Sequence, residues 1–169
     1  MANLLIWFLT IELFAFAVKE LLTCSVPPPN SSPTTAPDFD RVEVCNDREY
    51  SIKEFTLGTS WNTAEEHCRK NNKVLTNFEK KSGRNCVAKV ARIDNSEQKF
   101  AAAIGIKCDS ESNCAWIKNS EVVVPPTDKP IRSDYAAFLH NPGDEYEIVY
   151  QNANEGTKNY NVAAVCIGA

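Results

Sequence analysis

Apolar and polar positions around Ser60 recur at helical spacing. Trp61, Ala64 and Cys68 fall at i, i+3 and i+7 and share one face. Glu65 with Arg69, and Glu66 with Lys70, stand four apart on the other, in the favourable order. Asn62 and Glu65 have capping-box spacing. The pattern predicts a short amphipathic helix with a cysteine on its buried face. Before it, Tyr50, Ile52, Phe55 and Leu57 predict a strand pair. A second helix is predicted from 96 to about 104, because Asp94 and Glu97 repeat the capping spacing, Phe100 and Ile104 share a face, and Gly105 is placed to end it. Strand-like pieces follow at 115–117, 122–124, 146–150 and 162–167, separated by irregular stretches at 125–134 and 140–145. Strand, helix, helix, then several strands predicts an α+β fold with a mainly antiparallel sheet.

Two segments precede this pattern. Residues 4–18 are apolar except for Thr10 and Glu12, too short for the roughly 20 residues that span a bilayer. Ala15-Phe16-Ala17 fits the small-x-small cleavage rule, and Thr23-Cys24-Ser25 fits it less closely. No Lys or Arg precedes the apolar run, so only the α-amino group supplies positive charge there. Residues 1–25 are therefore expected to be a cleaved secretion signal, with an uncleaved anchor as the alternative. A cleaved signal implies an extracellular protein with no membrane segment after cleavage. Residues 26–41 carry Pro27-Pro28-Pro29, Pro33 and Pro37 among Ser and Thr, and read as an extended linker. The sequon Asn30-Ser31-Ser32 places N-linked sugar at Asn30, and Thr34 and Thr35 beside proline suit O-linked sugar. The folded domain is expected over 42–169.

The net charge is −4, which argues against nucleic acid, whose phosphates need clusters of Lys and Arg. The densest basic group lies within 79–84 and reads as a solvated loop. There are two histidines. His67 adjoins Cys68, but neighbouring helix positions point about 100° apart, so a catalytic Cys–His pair is not expected. Paired zinc-ligand spacing is missing. Asp144, Glu145 and Glu147 read as exposed acids, and no phosphate-cradling glycine loop occurs. The expectation is a non-enzymatic protein with no catalytic residues, metal or cofactor. Seven cysteines are an odd number for a secreted chain. Cys24 is the odd one. It leaves with the signal if cleavage follows Ser25, and stays able to join two chains if cleavage follows Ala17.

From about Tyr50 to Cys166 the order of motifs resembles a C-type lectin-like domain. Ser60-Trp61-x-x-Ala64-x-x-x-Cys68 resembles its first helix, 88–97 the stretch leading into its second, Ile104-Gly105-Ile106 the strand after that, and Ala164-Val165-Cys166 the closing strand. The resemblance implies a disulfide-stapled α+β fold of two helices, a mainly antiparallel sheet and long irregular loops. It pairs Cys68 with Cys166, and Cys108 with Cys114 in a small loop before Trp116. Cys45 and Cys86 are then left to each other, with other connectivities open. Residues 72–89 read as an insertion. The family's inner disulfide is missing, with Ile148 about where one cysteine is expected.

Sugar-binding members use a Glu-Pro-Asn or Gln-Pro-Asp loop and a Trp-Asn-Asp strand, because calcium takes six to eight oxygens that sugar hydroxyls help complete. Here the corresponding stretches are 140–145 and 158–162. Asn141, Asp144, Glu145 and Asn161 carry suitable oxygens in a broken pattern. The expectation is a secreted recognition module, calcium-independent, whose ligand is a glycan or an extracellular protein. The alternatives are a calcium-dependent lectin and a structural matrix protein.

Overall fold

The computed structural model describes residues 38–94, 99–109, 113–125, 131–143 and 145–169. The expected signal, residues 26–37 of the expected linker, Cys24 and Asn30 lie outside the described residues, as does Asp144, whereas Asp38 to Arg41, read as the linker's end, belong to the folded part: Phe39 packs on the core and Arg41 opens β1. Strands β1 (Arg41–Cys45) and β2 (Arg48–Phe55) form a hairpin. Its two-residue turn is Asn46-Asp47, both in the left-handed region at φ 52° and 59°, which matches the right-handed twist of the flanking strands.

Helix α1 (Trp61–Lys70) buries Trp61, Ala64 and Cys68, the face its periodicity predicts. Its N-cap is Ser60, whose hydroxyl accepts from the Thr63 N–H at 3.2 Å. Asn62, expected to cap, instead donates its side-chain amide to Asn154 at 2.7 Å. The helix ends with Asn72 at φ 55°, a residue that tolerates this backbone.

After β3 (Lys73–Leu75) comes α2 (Lys81–Val90). The second helix thus lies almost wholly inside the stretch read as an insertion; of the helix expected from 96 to about 104, residues 96–98 lie outside the described residues and 100–104 are not helical. Phe100–Cys108 is instead strand β4, with every residue but Lys107 buried. Then follow β5 (Cys114–Trp116), β6 (Val122–Val123), β7 (Tyr135–His140), β8 (Glu147–Asn152) and β9 (Asn161–Gly168).

The strand order runs β1-β2-β9-β4-β5-β6, with β3 also on β9 and β7 joining β4 to β8. The pairings are antiparallel except β4 with β9, which is parallel. Strands β4, β7 and β9 are covered on both faces. Phe100, Ala102, Ile104, Leu139 and Val165 face a core built with Val87 and Val90 of α2. Ala101, Ala103, Phe138, Val162 and Ala164 face one built with Trp61 and Ala64 of α1. Trp61 adds a buried indole N–H donated to the Ile104 carbonyl at 2.8 Å, which fixes α1 to β4.

Gly105 sits where the chain at Leu75 and Thr76 passes closest to β4. Its N–H donates to Thr76 O at 2.9 Å, its carbonyl accepts from Ile117 N at 2.8 Å, and a Cβ there would stand 2.7 Å from Leu75 O. The glycine therefore permits a close approach in mid-strand rather than ending a helix. Three disulfides cross the fold. Cys68–Cys166 joins α1 to β9 (Cα–Cα 5.6 Å), Cys45–Cys86 joins β1 to α2 (5.8 Å), and Cys108–Cys114 closes β4 on β5 (4.0 Å). Among the described residues no helix is long and apolar enough to cross a membrane.

Candidate functional site

Helix α2 ends in a Schellman arrangement. Ile93 N–H donates to Ala88 O and Arg92 N–H to Lys89 O, both at 3.1 Å, with Arg92 at φ 54°. Glycine is the usual occupant of this left-handed position, because a Cβ there is sterically penalised. The turn carries the chain to Asp94 at the end of the sheet where the β7–β8 loop also lies.

There Asp94 gathers two side chains from that loop. Asn141 donates its amide to Asp94 Oδ1 at 2.9 Å, and the Tyr146 hydroxyl donates to Oδ2. The hydrogen bond to Asp94, helped by partial burial and by the carboxylate charge, pushes the Tyr146 phenol up to about 12. Asn141 Oδ1 in turn accepts from Gly143 N–H at 3.0 Å, an Asx turn that shapes the loop. Between this cluster and the helix end lies a cleft of about 650 Å³ lined by Ala88, Lys89, Arg92, Asp94 and Tyr146.

No family model matches the chain. No curated protein matches its sequence. Solved structures do match. The C-type lectin domain of murine dendritic cell inhibitory receptor 2, solved with an N-glycan, aligns at a TM-score of 0.52 and 11% identity, over 77% of this chain and 98% of that one. SPL-1 in complex with GlcNAc aligns at 0.52 and 15% identity, over 76% and 93%. This is a C-type lectin-like fold.

Within the lectin-like domain the four expected ligand residues are placed as follows. Asn141 stands at the end of β7, bonded to Asp94. Asp144 lies outside the described residues, and Glu145 is exposed. Asn161 opens β9, opposite Phe100 of β4. β4 pairs with β7 on its other side, so Asn141 and Asn161 share one end of the sheet with β4 between them. Two strand spacings separate them, about 10 Å. Nearby, the His140 and Tyr160 rings meet edge to face at 5.3 Å.

Lys89, Arg92, Asp94 and Tyr146 were not singled out as site residues by sequence reasoning. Asp94 read as a helix cap, and its partners are 47 and 52 positions away. Only the arginine at a glycine-type helix end could have signalled the site, and that signal needs the helix boundary first.

Proposed function

We propose that this protein is a secreted, non-enzymatic recognition module whose lectin-like domain binds its ligand without calcium, at the cleft between the end of α2 and the β7–β8 loop. The ligand is a glycan or an extracellular protein, with the glycan favoured. Residues 1–25 act as a cleaved signal, 26–37 as a stalk carrying sugar at Asn30, and 38–169 as the binding domain, since Phe39 packs on its core and Arg41 opens β1.

The observation that carries the reading is how Asp94 and Asn141 are engaged. Calcium needs a shell of six to eight oxygens. Here both Asp94 oxygens accept from Asn141 and Tyr146, and Asn141 Oδ1 accepts from Gly143. The protein's own donors thus organise the loop, a task bound calcium would otherwise perform. The glycan preference draws support from the two similar structures, each solved with a saccharide. Three disulfides suit an oxidising, extracellular setting.

A glycan array probed with the secreted protein, first with calcium and then with chelator, tests the function. Binding that survives chelation is expected. The melting temperature should hardly differ between millimolar calcium and excess chelator, because only a ligand that prefers the native state raises it. An upward shift with calcium that disappears in Asp144→Ala or Asn161→Ala would overturn the reading in favour of a calcium-dependent lectin.

A further inference from the structure

We propose that α2 and the cleft at its C-terminal end bind an acidic saccharide chain, one carrying sulfate or carboxylate groups. The inference rests on the glycan-binding reading above and adds the class of glycan.

The protein is acidic overall, at −4, yet residues 80–92 hold Lys80, Lys81, Arg84, Lys89 and Arg92 with no Asp or Glu among them. Four cations elsewhere are matched to acids: Arg41 to Glu43 and Glu54, Lys53 to Asp38 and Asp40, Lys70 to Glu66, Lys73 to Glu49. None of the five in 80–92 is in an ion pair among the described residues. Exposed positions 81, 85, 89 and 92 follow helical spacing, and three of the four are cations. Arg84 is half-buried, and its Nε is buried without a hydrogen-bond partner. Like charges three and four apart destabilise a helix, and Arg92 adds the strain of a left-handed arginine. An anionic ligand would relieve the repulsion and gives a use to an arginine where glycine is easier.

The neighbouring groups favour a saccharide among anions. The cleft holding Lys89 and Arg92 also offers the Asp94 carboxylate and the Tyr146 ring. A carboxylate repels sulfate and phosphate alike but accepts from hydroxyls, which a saccharide carries between its charged groups and a bare anion or duplex DNA does not, and each of its oxygens has a second lone pair to offer. An aromatic ring suits the face of a sugar. A second hollow of about 310 Å³ lies at the other end of α2, lined in part by Lys80, Arg48 and Tyr50 and, as in the first, by one acid, Glu79. On α2 the linings of the two hollows come within five positions of each other, Gly83 to Ala88, about 7.5 Å, so one short chain can reach both where a single anion occupies one.

The test uses the secreted full chain and three probes: dextran sulfate, unsulfated dextran and duplex DNA. Dextran sulfate should bind, less tightly as salt rises from about 0.05 to 0.5 M and the Debye length shrinks. Dextran and DNA should bind at least roughly tenfold more weakly. Arg92→Gly should lower dextran sulfate affinity roughly tenfold, the scale of one charge-assisted hydrogen bond. The same variant should leave the melting temperature unchanged or higher, which separates lost binding from lost folding. Lys89→Ala combined with it should weaken binding further. Arg69→Ala, an exposed cation on α1, should change nothing.

Failure of dextran sulfate to bind overturns the inference. So does equal binding of DNA, or full affinity in the Lys89 and Arg92 variants. If a neutral glycan binds without calcium and ignores those variants, the proposed function stands and this inference falls. If no glycan binds at all, this inference falls together with the glycan preference stated above.

Discussion

Replacing Gly105 with alanine tests the packing between β3 and β4 directly. The new Cβ would stand 2.7 Å from Leu75 O, 3.3 Å from Thr76 O and 3.2 Å from Ile117 Cγ1. Two of these neighbours are backbone oxygens and cannot rotate away. The strands must separate, which also stretches the 2.9 Å bond from Gly105 N to Thr76 O. Overpacking costs about 1–3 kcal/mol and a weakened hydrogen bond about 1 more, so the expected loss is roughly 2–4 kcal/mol. For a domain of this size that lowers the melting temperature by roughly 8–16 °C. Gly143→Ala is the control, since nothing lies within 4 Å of its added Cβ. Thermal unfolding followed by circular dichroism, with urea unfolding alongside, reads both variants. If Gly105→Ala melts within about 2 °C of the parent, the close approach is not a stability constraint and the reasoning is refuted.

Two further outcomes follow from the fold. Removing the Cys68–Cys166 disulfide (sequence separation 98) by double alanine substitution should cost about 4–5 kcal/mol, and removing Cys108–Cys114 (separation 6) only about 2. Urea midpoints in the opposite order would contradict this. His67 packs edge-on against Phe39 and Phe55, near Asp38, Asp40 and Lys53, and burial holds its pKa below the usual histidine range. The unfolded chain therefore protonates first as pH falls. Stability tied to neutral His67 is full above about pH 6.5 and is lost as pH falls below it toward the folded pKa. His67→Gln should flatten the urea midpoint between about pH 6.5 and 5, and an unchanged slope would count against the assignment.

What could be read from the chain depended on whether an element buries one face or two. Trp61, Ala64 and Cys68 were legible because α1 has a wet side, so burial leaves a helical period. β4 has none. Phe100 to Ile106 is buried throughout, so the alternation that marks a half-exposed strand is absent. Its three consecutive alanines are strong helix formers, and local preference pointed the wrong way. β7 carries Tyr-Ala-Ala-Phe-Leu-His with the same double burial and gave no signal either. α2 was hidden for the converse reason. Gly83 lies in its first turn and Lys80 at its N-cap makes no side-chain bond, so its start resembles a loop. The basic group at its head consequently read as solvated. The Asp94 cluster could not be read at all, because it depends on a turn and a hairpin meeting across the sheet.

The central place of β9 has a consequence for synthesis. It pairs with β2, β3 and β4, and it supplies Cys166 to α1. Ser51 must wait for Cys166, and Phe100 for Asn161. A chain growing from the ribosome therefore carries three strands with open edges until residues 161–168 have emerged. Such distant pairings close slowly, because loop entropy is lost before the contacts form. During that interval the apolar runs of β4 and β7 are exposed, and Cys68 is a thiol without its native partner. The domain closes only once β9 is available, and its most vulnerable form is the chain that still lacks it.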